Sequence, residues 1–61
     1  MNFVKQCKYI EAISSMNIPT LKKARRDLKN DFIDKDRETK LELIDIMIEG
    51  KETLLRGAER L

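Results

Sequence analysis

The stretch DKDRETKLELID, residues 34–45, gathers the densest set of groups that could do chemistry: Asp34, Asp36, Glu38, Glu42 and Asp45, with Glu49 and Glu52 beyond it. Carboxylates are the ligands that hard cations take. A calcium loop places them at positions 1, 3, 5 and 12 and needs glycine at position 6 for its sharp turn. Asp34, Asp36, Glu38 and Asp45 occupy those four places, but position 6 is Thr39 and the run has a helical pattern, so no calcium site is expected. Glu42, Asp45 and Glu49 share one helical face and would hold magnesium only if a second helix offered matching acids. The preceding segment is basic and offers none. The acidic run reads as a solvated face able to complement a basic partner.

Nucleophilic and acid–base chemistry finds less. The chain has no histidine to act as a base, and Ser14, Ser15, Thr20, Thr39 and Thr53 stand in no motif. The single tyrosine, Tyr9, follows Lys8 with nothing else suggestive, and no glycine-rich phosphate loop is present. Cys7 is alone, which excludes a disulfide within the chain and, with no histidine, a His/Cys zinc site. It reads as a small buried apolar residue on a helix and fits a reducing compartment. The expectation is therefore no catalytic residue, no cofactor, no metal and no small-molecule substrate: the chain is not read as an enzyme.

The strongest local signal for a macromolecular partner is TLKKARRDLK. At about 100° per residue Lys22, Arg25, Arg26 and Lys29 share one flank of a helix, with Lys23 further round. A helix, a short turn and a basic second helix loosely resemble a helix-turn-helix whose recognition helix comes second. Against that stand a turn without glycine, no base-reading Asn or Gln except Asn30, and the acidic segment that follows. These four bases are the candidate contact for nucleic acid or for an acidic partner, which includes the acidic third helix itself.

These groups are positioned by helices. One proline, two glycines and no β-type alternation argue against a sheet, whereas Leu, Lys, Glu, Arg and Ile recur at three- and four-residue spacing. The spacing predicts a first helix over 2–15 with Phe3, Cys7, Ile10 and Ile13 on its buried face and Val4 at the edge. A second is predicted over 19–33 with a stripe of Leu21, Ala24, Leu28 and Phe32, capped by Asn17 or Thr20 around Pro19. The third begins between 34 and 39, where Asp34 or Asp36 can cap and Thr39 with Glu42 fits a capping box. It carries two apolar stripes. Leu41, Ile44, Ile48, Leu55 and Ala58, interrupted by Lys51, form the first; Leu43, Met47, Gly50, Leu54, Gly57 and Leu61 form the second. Two stripes imply two neighbours.

Length and charge bound the rest. With 61 residues the chain is a single domain, 1–61, and a domain of about 60 residues buries only about 60% of its unfolded surface, so a second copy or a partner is expected to supplement the core. The net charge of +2 conceals a gradient: +1 over 1–18, +4 over 19–29 and −3 over 30–61. The N-terminal stretch has no uninterrupted apolar run of the signal-peptide kind, and no segment approaches the roughly 20 apolar residues of a membrane span. The chain reads as soluble and cytoplasmic, without a membrane partner.

The reading is thus an all-α fold, a small two- or three-helix bundle made of a helical hairpin plus an N-terminal helix, dimeric through the long C-terminal helix. Its expected function is protein interaction, as a small regulator, inhibitor or adaptor that binds a larger macromolecule through helical faces. The expected protein interface is Leu43, Met47, Gly50, Leu54, Gly57 and Leu61. The alternative is a small DNA-binding regulator using the basic helix 19–33. Gly50 and Gly57 are expected to lie within a continuous helix, as points of close approach for another helix.

Overall fold

The computed structural model describes residues 1–60, and the side chains of residues 1–57. Within them lie three helices and no strand: α1 (Phe3–Ser14), α2 (Ile18–Lys29) and α3 (Arg37–Arg60). Asparagine starts the first two. The Asn2 side chain accepts the Lys5 amide at 2.8 Å and that of Asn17 accepts the Thr20 amide at 3.0 Å, each satisfying a donor that has no partner within its helix. Pro19 sits in the first turn of α2, where its missing N–H costs nothing. At the end of α1 the Ser14 and Ser15 hydroxyls donate back to the carbonyls of Glu11 and Ala12, at 2.7 and 2.9 Å. Such back-bonding weakens the hold of a helix on its last turn.

α2 stops four residues before the predicted end. Asn30 bonds back to the Asp27 and Leu28 carbonyls, and Asp31 Oδ1 then accepts the amides of Ile33 and Asp34 at 3.2 and 3.3 Å, so these residues form a turn. Phe32, expected on the buried stripe, is instead 80% exposed, with the Arg37 guanidinium 4.9 Å from its ring centroid. α3 starts without the Thr39–Glu42 capping box, since Thr39 already lies inside the helix. Asp34 Oδ1 accepts the Asp36 amide at 2.8 Å, and the Asp36 carbonyl accepts the Lys40 amide at 2.9 Å.

The core is Ile13 from α1, Leu21 from α2, and Ile44 and Ile48 from α3, with Tyr9, Met16, Ala24, Leu28, Leu43 and Met47 packed around it. α3 is the spine. α2 lies along it, and α1 packs on it more sparsely. The inward face of α1 is Gln6, Tyr9 and Ile13, not the predicted Phe3, Cys7, Ile10 and Ile13: Phe3 is 79% exposed and the Cys7 thiol is at the surface. The helix is rotated toward Ile13 and the Tyr9 ring, whose larger contact surface outweighs the burial of a thiol. The radius of gyration, 12.6 Å, exceeds the roughly 10.5 Å of a compact chain of this length because α3 outruns both neighbours. No described helix is long and apolar enough to cross a membrane.

Candidate functional site

α3 runs unbroken through Gly50 and Gly57, with no positive φ at either, so neither glycine is a stop. A Cβ built at Gly50 or Gly57 would meet nothing within 4 Å. The expected close approach therefore does not occur within the chain, and both glycines lie on open surface. Around them is a face that α1 and α2 leave uncovered. Ile46 is 60% and Leu54 75% exposed, and with Met47, Gly50 and Thr53 they form one open apolar surface. Leu43 and Met47, on the same predicted interface, are half-buried against the core. Leu61 and the side chain of Ala58 lie outside the described residues.

A second apolar surface was not legible from one helix alone. Ile18 and Pro19 at the start of α2 face Leu54 and Leu55 on α3 across a shallow groove that Asn17 and Lys51 also line. Leu55 belongs to the stripe that buries Ile44 and Ile48 but is itself 57% exposed, because α2 begins level with residues 51–55. Lys51, the one base in that stripe, has a positive function there. Its Nζ donates to the carbonyls of Ser14 and Met16 at 2.9 and 2.7 Å, so it caps the C-terminal end of α1, where the helix dipole favours a cation.

The basic flank of α2 meets the acidic flank of α3. Arg25 Nη1 lies 2.9 Å from Asp45 Oδ1, and Lys22 Nζ lies 3.3 Å from Glu52 Oε1. Two of the four bases expected to contact nucleic acid or an acidic partner thus have partners inside the chain. Arg26 and Lys29, with Lys23 and Pro19, line an outward basic surface beside them. A third pair, Lys40 Nζ to Asp34 Oδ2 at 2.7 Å, fastens the turn to α3. The Lys40 hydrogen bond and the Asp36 amide hold the Asp34 carboxyl below its ordinary range, and the same hydrogen bond raises Lys40. Burial raises Tyr9, whose ring centroid lies 5.5 Å from the Lys40 ammonium.

Among the described residues no three Cys, Asp or Glu side chains converge to hold a metal ion. Asp34 and Asp36 lie in the turn, whereas Glu38 and Asp45 lie on α3, so the four acids of the calcium template do not share a loop. No protein-family model matches the chain, and no curated protein or solved structure does either.

Proposed function

We propose that this chain is a non-enzymatic protein-interaction module, a small regulator, inhibitor or adaptor that self-associates through α3 and engages a larger macromolecule through its helical faces. The observation that carries the reading is the exposure of Ile46, Leu54 and Leu55 on one ordered helix. Isolated exposed leucines are ordinary, but a contiguous apolar surface on a chain with so small a core is costly unless something covers it. A rigid amphipathic helix also binds without first being ordered. The test is sedimentation of the wild type beside Leu54→Asp and Gly50→Leu. The wild type should approach twice the monomer mass as concentration rises, Leu54→Asp should remain a monomer, and Gly50→Leu should associate more weakly. A wild type that stays monomeric throughout would remove the self-association.

The outward bases support a second reading, a DNA-binding regulator using α2. Binding through Lys23, Arg26 and Lys29 would be steeply salt-dependent, since each neutralised phosphate releases counterions. Retention on heparin or mixed DNA over a salt series, for the wild type and for charge reversal at Lys22, Arg25, Arg26 and Lys29, separates the two. Salt-insensitive, negligible retention by the wild type would remove the nucleic-acid reading.

A further inference from the structure

Resting on the self-association proposed above, we infer that the uncovered face of α3 is built for a second copy of this chain lying antiparallel to it, with the two-fold axis passing between Gly50 and Thr53. Ile46, Gly50, Thr53 and Gly57 recur at alternating four- and three-residue spacing, the spacing of a seam between two helices. This seam points away from both neighbours in the chain. Lys51 and Lys40 reach α1 on one side, Asp45 and Glu52 reach α2 on the other, and Ile46, Gly50, Thr53 and Gly57 are exposed between them. The Thr53 hydroxyl donates to the Glu49 carbonyl at 2.8 Å, so it brings no unsatisfied donor to the seam.

The choice of sense comes from the flanks. One border of the seam carries Met47 and Leu54, the other Glu42, Glu49 and Arg56. A two-fold axis perpendicular to the helices sets each border against the same border of the partner, whereas parallel pairing sets it against the opposite one. The antiparallel arrangement about Gly50 and Thr53 therefore brings Met47 to the partner's Leu54 and Glu49 to the partner's Arg56. Along the seam it sets Ile46 over the space left open at the partner's Gly57, and Gly50 against the partner's Thr53. Parallel pairing would stack glycine on glycine and isoleucine on isoleucine, leaving cavities, and would face Glu49 with leucine. Among the described residues no ion pair within the chain uses Glu49 or Arg56.

Disulfide trapping in a Cys7→Ser background, with circular dichroism to check folding, reads the sense directly. Ile46→Cys and Gly57→Cys should form little disulfide alone and a cross-linked heterodimer when mixed. Glu49→Arg should weaken association roughly twofold to thirtyfold, and adding Arg56→Glu in the same chain should restore it. Efficient self-linking of each single variant, in a protein that still sediments as a dimer, would overturn the antiparallel sense while leaving the association intact. A monomeric wild type would instead remove the association on which the inference rests.

Discussion

The two halves of α3 carry the same apolar stripe and meet different fates. Ile44 and Ile48 are sealed by α1 and α2, whereas Leu55, two turns further on, stands open to solvent. α2 has 12 residues and reaches about 18 Å, whereas α3 has 24 and reaches about 36 Å. Hydrophobic periodicity thus fixes which face of a helix is apolar, and the length of its neighbours fixes how much of that face is covered. The contrast between a closed half and an open half is the main structural feature of α3.

The sharpest test of that contrast is a matched pair of truncations. Ile44→Ala should cost about 2–5 kcal/mol, enough to unfold much of so small a domain, whereas Leu55→Ala should stay within about 0.5 kcal/mol in urea melts of dilute protein. Equal losses would mean that the far end is covered in the monomer. Lys51 marks the boundary between the halves. Lys51→Met keeps the stem and removes two charge-assisted hydrogen bonds, so it should cost about 1–3 kcal/mol, read as faster amide exchange in α1 than in α2.

The smallest effect concerns the turn that feeds the closed half. Because Asp34 is held below its ordinary range, its stabilisation is complete above the usual carboxylate pKa of about 3.9 and is lost as pH falls through the lowered value. Lys40 has the opposite sign. Its contribution is complete below the usual lysine pKa of about 10.4 and is lost as pH rises through the raised value. Asp34→Asn should therefore flatten both the acid and the alkaline limb of a urea-midpoint-against-pH curve. Limbs unchanged by the substitution would assign the pH dependence to other groups.

Much of this arrangement was legible in the sequence, for reasons that are local. Asn17 and Pro19 announce the start of α2, three of the four stripe residues (Leu21, Ala24 and Leu28, but not Phe32) face the core, and the continuity of α3 through Gly50 follows from helix formers on both sides. What was not legible depends on contacts distant in the chain. In α1, a face of Phe3, Cys7 and Ile10 competes with one of Gln6 and Tyr9 on either side of Ile13, and only docking on α3 selects between them. At the end of α2 the periodicity runs on to Phe32, but the Asp31 carboxylate captures the amides of Ile33 and Asp34, a side-chain preference that hydropathy cannot register. The ion pairs of Lys22 and Arg25 with α3 were foreseen only as one alternative among partners. The groove of Ile18, Pro19, Leu54 and Leu55 required two helices to be seen together.

The Lys51 ammonium on α3 reaches back 37 and 35 positions in the chain, a longer closure than the 20 positions between Arg25 and Asp45. Closing a longer loop carries the larger entropic cost, and α1 repays it with the sparser packing. In terms of cooperative units, α2 with α3 forms the more densely packed hairpin, and α1 adds Ile13 to its core through the sparser contact. Amide exchange is therefore expected to be faster in α1 than in α2 and α3.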